Sequence, residues 1–121
     1  MFLKLLLTAG LLIALSGCAG VGAESTLKFS GDGNGTHSDT PKCDDQGALT
    51  GSGNVPDGSV MLTVKDSAGK QLLQQTFKGE FTLAKTTVSG AAGTWSVVAQ
   101  RSSDDLAGDP FSGHYAFYVN C

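Results

Sequence analysis

From Gly47 to Cys121 apolar side chains recur at alternate positions, and no window there spaces them as a helix would. Short segments rich in Val, Leu, Thr, Phe and Tyr are divided by glycine-bearing turns roughly ten residues apart. This rhythm predicts an all-β chain, a small antiparallel β-sandwich of about six to seven strands. Expected strands are Ala48 to Asn54, Ser59 to Lys65, Gln71 to Phe77, Phe81 to Ser89, Thr94 to Arg101 and Phe111 to Asn120. Expected turns between them are Pro56-Asp57-Gly58, Asp66 to Gly69, Lys78-Gly79-Glu80 and Gly90 to Gly93, where proline presets one dihedral and glycine permits a positive φ.

Alternation also sorts the faces. Val60, Leu62 and Val64 share one side of their strand, as do Trp95, Val97 and Ala99. In the last strand Tyr115, Phe117, Val119 and Cys121 share a parity against His114, Ala116, Tyr118 and Asn120. The first set is expected inside and the second outside. At the level of strand rhythm, residues 47–121 resemble the immunoglobulin-like and fibronectin-like sandwich modules of exported bacterial proteins; no single family is implied.

The first seventeen residues are of another kind. Lys4 precedes a run from Leu5 to Leu15 that is apolar except for Thr8 and Gly10. A basic start, a short apolar core and small residues behind it form a secretory signal. Eleven residues fall short of the ~20 that a membrane-crossing helix needs. Leu15-Ser16-Gly17-Cys18 then resembles the lipobox of bacterial lipoprotein precursors. The resemblance implies a thioether-linked diacylglycerol on Cys18, cleavage before it, and acylation of the new amine. Two or more acyl chains anchor stably where one does not. Ala19 in place of aspartate implies the outer membrane if the host is Gram-negative. Ordinary signal cleavage after Ala19 or Ala23 is the alternative.

The organisation expected is therefore a signal over residues 1–17, a lipidated start and Gly/Asp-rich tether over 18–46, and a sandwich over 47–121. Leu27 to Ser30 is a short strand candidate within the tether. Gly31 to Gln46, apolar only at Cys43, reads as loop or linker. Past residue 17 stand seven basic and eleven acidic side chains, Lys4 being the one basic residue removed, for a formal charge of −4. The basic residues are not clustered, which speaks against a nucleic-acid partner. With Cys18 lipidated, Cys43 and Cys121 form an even pair in an oxidising compartment and are expected to be joined.

Motifs of catalysis are missing: the chain has neither a GxSxG elbow nor HExxH. His114 with Asp104, Asp105 or Asp109 is the one local option for a base and its orienting carboxylate. Asp44-Asp45 and Asp104-Asp105 are neighbours in extended chain and point opposite ways, as solubilising residues do. Asp32, Asn34 and Thr36 begin like a calcium loop, but His37 stands where that loop needs glycine and Cys43 where it needs glutamate. Two separated histidines make no zinc site. No cofactor is expected.

What remains is recognition. His114 and Tyr118 on the outward side of the last strand, with Phe111 beside them, are the candidate binding residues for a glycan or an envelope protein. Phe111-Ser112-Gly113-His114-Tyr115 is also similar to the serine-glycine-tyrosine loop of lipoprotein lysozyme inhibitors, which makes inhibition of an exported hydrolase an alternative function. An unrecognised hydrolase is another. The leading expectation is a non-enzymatic envelope module held at the membrane by covalent lipid.

Overall fold

A computed structural model describes residues 24–30, 35–103 and 113–121. Cys18, Phe111, Asp104, Asp105 and Asp109 lie outside these residues, as does the whole signal segment. The elements are β1 (Glu24–Ser30), β2 (Thr36–Asp39), β3 (Lys42–Cys43), β4 (Gln46–Lys65), β5 (Gln71–Ser89), β6 (Gly93–Thr94), β7 (Ser96–Ser103) and β8 (His114–Asn120). All pairings are antiparallel. The all-β expectation holds.

Two boundaries need correction. Four of the expected strands are two long ones, because the segments that read as turns at 56–58 and 78–80 lie opposite each other within a single hairpin. Val55 pairs with Gly79 and Ser59 with Lys78, so Pro56-Asp57-Gly58 is an insertion with no counterpart. Proline and glycine serve a bulge as well as a turn, since both relieve the ladder of a bond or a steric limit. Gly79 has φ of +59°, a left-handed conformation that a side chain resists. An odd insertion exchanges the two faces. Before it the odd positions Leu49 and Val55 are buried, after it the even positions Val60, Leu62 and Val64.

The second correction concerns where the sheet begins. Residues 18–46 are not all tether: β1 pairs with β8 from Glu24↔Asn120 to Ser30↔His114, and β2 pairs with β7. β2 reads Thr-His-Ser-Asp and carries no apolar signal. Its place is fixed by the backbone partners that β7 offers.

At the insertion the hairpin bends, and its two ends join different neighbours. Residues 48–54 of β4 pair with β8, while 58–65 pair with β7. One layer therefore runs β1, β8, the first part of β4 and the second part of β5. The other runs β2, β7, the second part of β4 and the first part of β5. The layers face each other over a core in which Trp95, Phe117, Leu49, Leu62, Val97 and Val119 are all buried. The expected inward sets 60/62/64, 95/97/99 and 115/117/119 are each buried. Gly51 stands directly across from Phe117, and a Cβ there would collide with that ring and with the Ala116 carbonyl. Its bareness lets the ring lie flat on β4. From Phe117 the aromatic contacts run to Phe81 at 5.7 Å, on to Phe77 at 4.6 Å, and the other way to Tyr115 at 5.3 Å between centroids.

Opposite the bend the layers meet at a seam between β1 and β2, crossed by a Ser25 hydroxyl that donates to Asp39 Oδ2 at 2.5 Å. Cys43 and Cys121 are joined as a disulfide, with Cα atoms 4.9 Å apart. It ties the short β3–β6 ribbon to the residue after β8. Nearby, Trp95 Nε1 donates to the Ala91 carbonyl at 2.8 Å.

Candidate functional site

β8 lies between β1 and β4 in the first layer, so each of its outward side chains has a neighbour on both sides. Tyr118 is flanked by Thr26 and Thr50, Ala116 by Lys28 and Ser52, and Asn120 by Glu24 and Ala48. Directly opposed side chains on one face sit roughly 5 Å apart. Among the described residues Tyr118 is the large hydrophobic side chain left exposed, at 45 %. Around its ring the face offers threonine and serine hydroxyls, an asparagine amide and one lysine. His114 is exposed four positions away along the same strand, roughly 13 Å at the rise of extended chain. The small Ala116 between them leaves the surface low. The two described binding candidates thus share a face without touching.

At the disulfide end this face runs into a cleft of about 380 Å³, lined by Asp44, Asp45, Lys85, Thr87, Asn120 and Cys121 among others. Asn120 bridges the two features, its amide reaching Glu24 Oε2 at 3.4 Å. Among the described residues no three of His, Cys, Asp and Glu come together as a metal site would need.

Three other titratable side chains, His37, Asp39 and Asp66, hydrogen-bond within the fold. His37, expected in a glycine-rich loop, is on β2, with Nδ1 2.7 Å from the Tyr115 hydroxyl. Burial raises the Tyr115 phenol to about 12, against a lowering pull from the Arg101 charge, so it stays protonated at neutral pH. Tyr115 is buried, so the tyrosine of the 111–115 stretch faces the core; Phe111 and Ser112 lie outside the described residues. Asp39 is held below its ordinary value by the Ser25 hydroxyl and the Thr40 N–H, with a smaller opposing push from burial.

The sequence implies only a turn for Asp66, and the structure gives it more partners. Its Oδ2 accepts from the Ala91 N–H, and its Oδ1 from those of Ala68 and Lys70, each at 2.9 Å. The Ala91 bond, the largest influence, draws its carboxyl below the ordinary value; burial opposes this, while the Lys70 and Ala68 bonds and the Lys70 charge assist. An aspartate bonding to the N–H two residues on was readable from Asp66-Ser67-Ala68-Gly69. The long-range bond to Ala91 was not. Asp66 pins the β4–β5 turn to the segment before β6 and belongs to the scaffold.

No protein-family profile matches the sequence, and no curated protein matches it. Solved structures with a similar outline include one described as "Bacillus endospore appendages form a novel family of disulfide-linked pili", at 10 % identity and TM-score 0.45 over 83 % of this chain and 85 % of that one. Another is the CBM36-1 domain of a multidomain xylanase from the hindgut metagenome of Trinervitermes trinervoides, at 13 % identity and TM-score 0.43 over 82 % and 97 %. A third is a carbohydrate-binding module CBM36 in complex with calcium and xylotriose, at 16 % identity and TM-score 0.39 over 82 % and 97 %. None shares enough sequence or superposed backbone to pass a ligand or a role to this chain.

Proposed function

We propose that this chain is an exported, lipid-anchored, non-enzymatic module that binds a glycan on the β8 face. The observation that carries the reading is the exposed ring of Tyr118 set between Thr26 and Thr50. A sugar ring has apolar C–H faces that stack on an aromatic and hydroxyls that need both donors and acceptors. Tyr118 supplies the first, and Thr26, Thr50, Ser52 and Asn120 supply the second. Asp44 and Asp45 in the adjoining cleft add acceptors for further hydroxyls. Nothing in the arrangement requires bond cleavage: His114 and Tyr118 are too far apart along the strand to act on one bond.

Export and anchoring rest on Lys4, the apolar run to Leu15 and Leu15-Ser16-Gly17-Cys18. The bilayer is then a partner through acylated Cys18, at the outer membrane in a Gram-negative host. Membrane-bound protein in the native host, carrying acyl chains on an N-terminal Cys18 by mass spectrometry, is the expected result; an unmodified start at Gly20 or Glu24 would overturn the anchor. For the face, calorimetric titration of the full chain with soluble peptidoglycan fragments and neutral oligosaccharides should give saturable binding. Tyr118→Ala should weaken it roughly tenfold or more with an unchanged unfolding midpoint. Binding that ignores Tyr118→Ala, or no binding across that panel, would refute the assignment.

A further inference from the structure

β5 pairs with β4 along one side over its 19 residues, and among the described residues no strand pairs with its other side. Such an edge offers backbone N–H and C=O groups to another extended chain. Its middle reads Thr76-Phe77-Lys78-Gly79-Glu80-Phe81-Thr82. Read in either direction this stretch is the same, except that Lys78 before Gly79 is answered by Glu80 after it.

We propose that β5 is a self-pairing edge whose partner is β5 of a second copy of this chain, antiparallel about a two-fold axis midway between the two Gly79 residues. In that register Thr76 stands opposite Thr82, Phe77 opposite Phe81 and Lys78 opposite Glu80, each pair formed twice. Both charged side chains are exposed, so their complementarity is available without rearrangement. The alternatives are opposed by the same residues. A slip of two positions either way sets Lys78 against Lys78 or Glu80 against Glu80, and parallel in-register pairing does both at once. Like charges directly opposed across strands repel. Phe77 and Phe81 already stack within one chain, 4.6 Å between centroids at 28°, and Phe81 is half-buried. Pairing covers it.

The bend is compatible with this pairing. β5 turns at Gly79, where its partner changes from Ser59 to Val55. A two-fold axis leaving the corner outward carries one bent strand onto the other with both flanks turned the same way. On the far flank the ladder irregularity between Leu83 and Thr86 limits the regular stretch to residues near Gly79, where the complementary side chains lie. The surface is distinct from the Tyr118 face.

Sedimentation of the full chain in detergent, over a range of concentrations, is the test. Wild type should be a dimer. Lys78→Glu and Glu80→Lys, each alone, should weaken dimerisation roughly tenfold or more with unchanged circular dichroism. An equimolar mixture of the two should dimerise again, since each then meets its opposite. A monomeric wild type, single variants that associate as wild type does, or a mixture that stays monomeric would each overturn the proposal. Two chains held together merely by a shared micelle would ignore these charges.

Discussion

Breaking the Cys43–Cys121 bridge should act mainly on the unfolded chain. The two cysteines are 78 residues apart, and closing a loop of that size removes ~4.5 kcal/mol of chain entropy from the denatured state. In the folded state little depends on the bond. β8 keeps its ladders with β1 and β4 without it, and the Trp95 indole keeps its bond to Ala91; only the β3–β6 ribbon, two pairs long, loses its tie. The Cys43→Ser/Cys121→Ser double variant should therefore fold, and its urea midpoint should fall by about 3 M for a slope near ~1.5 kcal/mol/M. The slope should also rise, because an unbridged chain exposes more surface on unfolding. Equilibrium urea titration followed by Trp95 fluorescence reads both quantities. A midpoint shift under about 1 M with an unchanged slope would refute the unfolded-state account.

Two further perturbations test the scaffold. Gly51→Ala should cost about 1–3 kcal/mol, since its Cβ meets the Phe117 ring and a backbone carbonyl that has nowhere to move; a cost near zero by urea titration would show that Phe117 does not lie flat on β4. Asp66 has a lowered native pKa, so its contribution is whole above the ordinary carboxylate value and is lost as pH falls through the native one. The stability gap between wild type and Asp66→Asn should accordingly shrink as pH falls below the ordinary carboxylate range, and a gap constant with pH would contradict the three N–H bonds.

The parts of this fold that were legible are those that depend on one strand at a time. Val97 and Ala99 fall inside because a sheet with one buried face admits one parity, and Tyr118 falls outside by the same logic. The bend was not legible. Pro56-Asp57-Gly58 and Lys78-Gly79-Glu80 have the chemistry of turns, and only their placement opposite each other makes them a kink within one hairpin. β2, with His37, is invisible in the sequence because a strand without apolar residues leaves no period. Of the candidate site, the outward residues of β8 were readable, but Thr26, Lys28, Thr50 and Ser52 were not. Thr26 and Thr50 come beside Tyr118, and Lys28 and Ser52 beside its neighbour Ala116, through register, which is set by the whole sheet. Phe111 lies outside the described residues.

The bend also bears on how far self-pairing through β5 can go. An antiparallel pair about a two-fold axis is isologous, so each copy presents the edge it consumes. A filament needs a second free edge on every copy. Among the described strands the other edges of the main sheet are those of β1 and β2, and these flank the seam that the Ser25–Asp39 bond crosses. There each edge strand has the other beside it. Pairing through β5 therefore closes at two copies, and raising the concentration in the sedimentation experiment should convert monomer to dimer without larger species. Species that grow steadily in size would mean that β1 or β2 is open to an incoming strand, and that the seam does not close the sandwich.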